Sequence, residues 1–326
     1  MDVPSDRRPE IAFALRRPDG ATVACRIRPA REPAGLPAVV LLHGLASNLT
    51  RFTEFVEHTA LDARHELLRI DLRGHGGSLS RRPISQEVWS DDLVALLDAR
   101  GHAAAVLVGH SLGAQVALHC AARHPARIRG LVLIDPVFRD ALLPRWRRLA
   151  RAGPLLAAAA ASVRALNALG MHRRGLPPLD LRALDETARQ ALASPRAEAE
   201  FIRRYSSTRA DLRTTATAVY LQDLVEMFRP VPPLSPPLSP SPPPSLEPSL
   251  EPPPPLPTLV LQSTAAHFAD PRQMRDRLAG PRTTVVEIAC NHWPLTERPV
   301  EVREAIERWC GARFGEGAAD PPGRSA

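Results

Sequence analysis

Residues 103–123 read AAAVLVGHSLGAQVALHCAAR: an apolar run, a serine set between glycines, and a stretch with helical spacing of its apolar residues. Gly109-His110-Ser111-Leu112-Gly113 has the form G-x-S-x-G, and its setting matters more than its letters. A buried strand that turns sharply into a helix lifts the serine oxygen above the end of a sheet, and the flanking glycines remove side chains where the backbone doubles back on itself. Ser111 is therefore read as a nucleophile.

Working outward, short apolar runs recur with helical stretches between them. Ile11–Arg16 and Thr22–Ile27 flank the turn Pro18-Asp19-Gly20 and read as an edge hairpin. Ala38–Leu42, Glu66–Ile70, Ala104–Val108, Leu131–Ile134, Thr258–Leu261 and Thr283–Ile288 read as buried strands. Trp89–Ala99, Leu112–Arg123 and Val300–Trp309 have helical periodicity. The pattern predicts an α/β protein: a mostly parallel eight-stranded sheet with helices on both faces. It breaks after Phe138, where residues 137–229, rich in Arg, Ala and Leu, read as an inserted helical cap. The core is thus expected in two parts, 1–136 and 258–313. Between them, residues 230–257 carry 15 of the chain's 35 prolines and read as a disordered surface linker, and 314–326 as a frayed tail.

The composition excludes several classes. With 326 residues, 44% hydrophobic and 24% charged, the chain can bury a large core, and it is neither a peptide hormone nor a disulfide knot nor a coiled coil. All 42 basic residues are arginine, and residues 139–174 hold eight of them against the single acid Asp140, matching the net +7 of the whole chain. Nucleic acid is not the expected partner, because aromatics are 4% and no recognition module is present. An arginine run is ordinarily a solvated helix face; a weak anionic partner, such as an acidic acyl carrier or an anionic membrane surface, is the alternative. Cys25, Cys120, Cys290 and Cys310 lie far apart and read as buried free thiols, with no metal site. Residues 1–10 lack the apolar stretch of a signal peptide, and Arg164 and Asn167 interrupt the longest apolar region, so no stable membrane span and a cytoplasmic location are expected.

A serine hydroxyl needs a base within hydrogen-bond reach, itself held by an acid. His292 is the best candidate: it sits in Cys290-Asn291-His292-Trp293-Pro294, after the last apolar run and before the terminal helix, in the chain order serine, acid, histidine.

With these residues in place, the chain resembles the α/β-hydrolase fold over about Ile11 to Arg313. His43-Gly44-Leu45 is similar to that family's HG loop, and Asp71-Leu72-Arg73-Gly74-His75-Gly76-Gly77-Ser78 to its D-x-R-G-x-G-x-S stretch. The resemblance implies an oxyanion hole made by the backbone N–H groups of Leu45 and Leu112, beside Gly44, and gives His43, Arg73 and His75 structural roles. The sequence departs from the family pattern at the acid. Ala266 stands where an aspartate is often found, and Asp270, four residues on, precedes Pro271 in the manner of a helix cap. Asp135, at the end of the run Leu131–Ile134, is the other place from which such folds supply the acid. It is preferred over Asp270, with no functional acid as the third possibility. Asn291 replaces a usual glycine, a position where left-handed backbone is better tolerated by asparagine than by most residues.

The resemblance implies a serine hydrolase that cleaves a carboxylic ester or related small-molecule acyl compound through an acyl-enzyme, with no cofactor. A C–C hydrolase or an acyltransferase would use the same Ser-His pair, and a non-catalytic binding protein of this fold is the competing class. Serine rather than aspartate at the turn argues against the epoxide hydrolases and haloalkane dehalogenases.

Overall fold

The computed structural model describes residues 9–32, 35–172, 175–191, 195–231, 256–265 and 267–315. Most of the proline segment, the end of the tail, Arg173, Arg174 and Ala266 lie outside the described residues.

Eight strands form one sheet: β1 (Ile11–Arg16), β2 (Thr22–Arg28), β3 (Ala38–Leu42), β4 (Leu67–Ile70), β5 (Ala105–His110), β6 (Ile128–Ile134), β7 (Thr258–Ser263) and β8 (Thr283–Ile288). Their order is β1-β2-β4-β3-β5-β6-β7-β8. β1 and β2 are joined by the expected hairpin, whose Gly20 takes φ 82°. β2 also runs antiparallel to β4, and all other pairings are parallel.

The all-apolar strands are explained by what covers them. Val39, Leu41, Val106, Val108, Val132 and Ile134 point to one face. There they pack with α1 (Thr53–His58) and the long C-terminal helix Pro299–Phe314. The alternate residues Val40, Leu42, Leu107, Leu131 and Leu133 point to the other face, beneath α2 (Gln86–Ala99) and α3 (Leu112–Arg123). A strand buried on both faces loses the polar alternation of a half-exposed one, so a continuous apolar run is the signature it leaves in sequence.

Between β6 and β7 the chain forms α4 (Pro144–Arg151), α5 (Gly153–Ala168), α6 (Leu181–Ala191), α7 (Pro195–Tyr205), α8 (Thr208–Thr214) and α9 (Thr217–Met227). After β7 come α10 (Pro271–Leu278), the short α11 (Pro294–Glu297) and α12, the C-terminal helix (Pro299–Phe314).

Two buried ion pairs tie the inserted helices to the sheet. Arg51 bonds Asp185 of α6 at 2.6 Å, and both side chains are nearly sealed from solvent. His75, in the loop after β4, meets Asp223 of α9 at 2.9 Å, and neither is exposed. Burial disfavours the imidazolium of His75, but the Asp223 carboxylate outweighs this and lifts it above the ordinary range. Removing one member of such a pair leaves the other desolvated and alone, at a cost of about 3–5 kcal/mol. Asp223→Ala is therefore expected to lower unfolding free energy in urea by that amount, and a loss under about 1 kcal/mol would show that the joint is not held by this pair.

Candidate active site

Ser111 sits at the turn between β5 and α3 with φ 52° and ψ −113°. The turn is tight enough that a Cβ on Gly109 would lie 2.2 Å from the Gly113 carbonyl oxygen, and one on Gly113 would lie 2.3 Å from that of Leu42. Glycine is required at both places because the space is filled by backbone, which cannot move aside. Ser111 is anchored from the next strand, its N–H donating to the Ile134 carbonyl at 3.0 Å.

The structure brings Ser111, His292 and Asp135 into one hydrogen-bonded row, each at most 6% exposed. Ser111 Oγ lies 2.9 Å from His292 Nε2, and His292 Nδ1 lies 2.5 Å from Asp135 Oδ2. A carboxylate only accepts, so Nδ1–H donates to Asp135 and Nε2 is left to accept the serine proton. The other carboxylate oxygen, Oδ1, accepts from the Ser263 N–H and from Gln262 Nε2, each at 2.9 Å. Asp135 is thus fixed by β7, while the His292 carbonyl accepts from His110 Nε2 at 2.9 Å.

Asp270 is not part of this row. It caps α10, accepting from the Arg272 N–H at 2.9 Å on the surface. Asn291 does not use left-handed backbone: among the described residues the non-glycine positive φ angles belong to Ala46, Ser111 and Asp135. Glu297 holds it instead, accepting from both its backbone N–H and its side-chain amide at 3.1 Å. The loop therefore does not need the glycine whose absence the sequence flagged.

Gly44 and Leu45 line the same pocket as Ser111 and His292. Neither the Leu45 nor the Leu112 N–H meets a protein acceptor among the described residues. Leu112 opens α3, where the first N–H groups have no partner within the helix. His43 carries the loop: Nδ1–H donates to the Gly44 carbonyl at 2.9 Å, and Nε2 accepts from the Leu72 N–H at 3.0 Å. Arg73 pairs with Asp92 at 2.6 Å, behind the loop. Burial drives His43 and His110 well below the usual imidazole range, and burial followed by the nearby His292 takes His267 down to about 4. These rings are neutral at physiological pH, and of the four histidines around the site only His292 faces a carboxylate.

The inserted helices close the pocket. Trp146 of α4, Tyr205 of α7, Asp211 of α8, and Tyr220 and Met227 of α9 line it opposite Ser111. The pocket is partly open to solvent, and its cavity is about 80 Å³, against ~300–1,000 Å³ for ordinary small-molecule sites. Burial pushes the Asp211 carboxyl up to about 7, although it is hydrogen-bonded to Tyr220. None of these wall residues belongs to a motif; they come from a segment whose sequence shows only helical periodicity. The four cysteines are free and buried, and no cluster of potential metal ligands occurs among the described residues. No single described helix is long and apolar enough to cross a membrane.

Comparison with known proteins agrees with this architecture. The chain is 37% identical over 102 residues to the sn-1-specific diacylglycerol lipase ABHD11 of Mus musculus, a match covering 31% of this chain and 33% of that relative. It is 34% identical over 139 residues to the 2-(acetamidomethylene)succinate hydrolase of Mesorhizobium japonicum, covering 41% and 45%. The matches therefore span less than half of these relatives' lengths, both of which carry hydrolase names. Among solved structures, an esterase from Thermogutta terrifontis superposes with a TM-score of 0.61 at 22% identity, over 94% of this chain and 100% of that one. The family model for the alpha/beta hydrolase fold matches residues 37–299, and the chain belongs to that family.

Proposed function

We propose that the protein is a serine hydrolase that cleaves a carboxylic ester through an acyl-enzyme. The observation that carries this reading is the row Ser111–His292–Asp135, in which every proton has a place to go. Ser111 Oγ attacks the ester carbonyl as its proton passes to His292 Nε2. The imidazolium is stabilised by Asp135, and the oxyanion by the N–H groups of Leu45 and Leu112, each donor being worth ~2.7–4 kcal/mol in such sites. The tetrahedral intermediate collapses as His292 returns its proton to the departing alcohol. Water then attacks the acyl-enzyme with His292 again as base, releasing the acid and restoring Ser111.

The inserted helices act as a cap that selects the substrate. A cavity of about 80 Å³ favours short acyl or alcohol groups while the cap is seated as described. The hydrolase names of the relatives support the reaction class, and none of them fixes the ester.

Turnover of a short nitrophenyl ester is expected from the wild type and not from Ser111→Ala; equal rates would remove the proposal. Asp135→Asn is expected to cost ~10⁴ in kcat, as in a well-studied triad, and Asp270→Asn nothing beyond twofold or so. A reversed ranking would reassign the acid.

The wall carboxyl Asp211 gives a separate test. Held up to about 7 in the folded protein against an ordinary 3.8, it stays protonated after the unfolded chain has ionised. The folded state therefore binds the extra proton in that window, and the contribution of Asp211 to stability falls as pH rises from about 4 to about 7, then levels off. Asp211→Asn lacks this loss. Its melting temperature is expected to gain on the wild type across that window, and a constant gap would refute the raised carboxyl.

A further inference from the structure

The outer surface of the inserted helices is built the wrong way round for water. Among the described residues, seven large apolar side chains are exposed, and four fall within residues 155–171: Leu155 at 73%, Leu166 at 45%, Leu169 at 77% and Met171 at 58%. The other exposed positions of α5 are proline, alanine and serine. The one charged residue of the helix, Arg164, is turned inward, where its guanidinium donates to Gln222 Oε1 of α9 at 3.3 Å. A surface helix of a soluble protein ordinarily buries its apolar stripe and shows its charges; here the charge is on the protein side.

The neighbouring helix supplies the complementary charge. α4, PRWRRLAR, carries Arg145, Arg147, Arg148 and Arg151, all exposed, and no acid. None of the four forms an ion pair within the described residues, whereas arginines elsewhere are widely paired. Asp140, the nearest acid in sequence, is engaged by Arg277 at 3.3 Å. Arg145 donates to the His267 carbonyl and lies 5.2 Å over the Trp146 ring, and Arg147 donates to the Leu142 carbonyl, so neither meets a carboxylate among the described residues. α4 and α5 follow each other directly across a bend of 58°, so the basic helix adjoins the apolar one. That pairing is the signature of an element that rests in the headgroup region of an anionic bilayer, apolar side chains dipping in and cations on the phosphates.

We propose that α4 and α5 form a docking surface for an anionic lipid bilayer. The placement of the pocket gives it a purpose. Trp146 projects from the same α4 into the wall of the Ser111 pocket, and its ring lies 4.7 Å from Phe268. Docking through α4 brings that wall to the membrane surface, so the esters it would meet are ones presented at a lipid surface, with a short acyl or alcohol group entering the pocket. This last step rests on the proposed esterase reaction; the docking itself does not.

Co-sedimentation of the full chain with vesicles tests the docking without any turnover. Binding is expected to vesicles of mixed phosphatidylglycerol and phosphatidylcholine, about tenfold or more tighter than to phosphatidylcholine alone, and to weaken with added salt because exposed charges are screened over ~8 Å at physiological strength. Leu155→Glu with Leu169→Glu, and separately Arg147→Glu with Arg148→Glu, are each expected to reduce binding at least about tenfold. All four positions are exposed and outside the pocket, so hydrolysis of a short soluble ester should be unchanged and reports that the variants are folded. Binding by a chain that turns over no ester would leave the docking standing and remove the reaction. The docking is overturned by absent or lipid-independent vesicle binding, or by variants that bind like the wild type. It is equally overturned by a dimer that the leucine changes dissociate, by binding that appears only once residues 232–255 are deleted, or by an acidic carrier protein that binds where vesicles do not.

Discussion

The whole site depends on a steric constraint: two glycines at the β5–α3 turn, each pressed against backbone. With Gly109 packed on Gly113 and Gly113 on the carbonyl of Leu42, the start of α3 is wedged between the ends of β5 and β3. The serine can then only stand above the sheet, in a backbone conformation that is costly for a residue with a side chain. The same cost recurs at Ala46, in the loop after β3, and at Asp135, at the end of β6. Each such residue carries about 1–3 kcal/mol of strain and persists only where the surroundings over-determine it. Here the surroundings are parallel strands in register: Ser111 is tied to Ile134 of β6, and Asp135 to Leu261 of β7. Strain at Ser111 and Asp135 is thus sustained by the sheet's hydrogen bonds, which fix both residues at the ends of neighbouring strands.

Electrostatics then singles out one base. Four imidazoles surround the pocket, and burial removes the charge from His43, His110 and His267. Neutral rings add shape and hydrogen bonds without placing positive charge beside His292, which favours the proposed proton transfer from Ser111. The fifth nearby imidazole, His75, stands 5.0 Å from His43, but its partner is Asp223 on α9. That pair and Arg51–Asp185 bind the roof to the sheet with charge rather than with apolar packing alone. Buried pairs of this kind contribute little net stability over an apolar replacement, yet they penalise any seating that separates the partners, and so specify one position of the roof.

The strands were legible because burial on both faces leaves uninterrupted apolar runs, and the serine because its turn demands glycines at fixed spacing. The misjudged edges have local causes. β6 begins at Ile128, three residues before the run Leu131–Ile134: exposed Arg129, skipped by a register shift in the pairing with β5, and side-chain-free Gly130 interrupt the apolar signal, although Ile128 still pairs with Ala105. The choice of Asp135 over Asp270 rested on its place at a strand end, and the geometry gives the reason: its Oδ1 needs the N–H of Ser263 on the neighbouring strand, a contact between residues 128 positions apart. No local pattern encodes that. The same holds for Asp211, Tyr205 and Trp146, which reach the pocket from three different helices and carry no spacing that marks them.

The inserted segment shows most sharply where periodicity misleads. By sequence, Arg164 and Asn167 break the longest apolar stretch and argue against a membrane span. In the structure they lie on the less exposed side, and the outward side is left to leucine, alanine and serine. Periodicity identifies the two faces of a helix but not which one meets the core, because a polar face can bury itself when a neighbour such as Gln222 offers an acceptor. What decides the orientation is the environment of the outer face, and the four unpaired arginines of α4 beside it match a negatively charged, partly apolar surround. The small cavity follows the same logic. About 80 Å³ admits only a short part of an ester, so the rest of a larger one would stay at the mouth of the pocket. α4 carries both the pocket's Trp146 and the charges that would meet the bilayer.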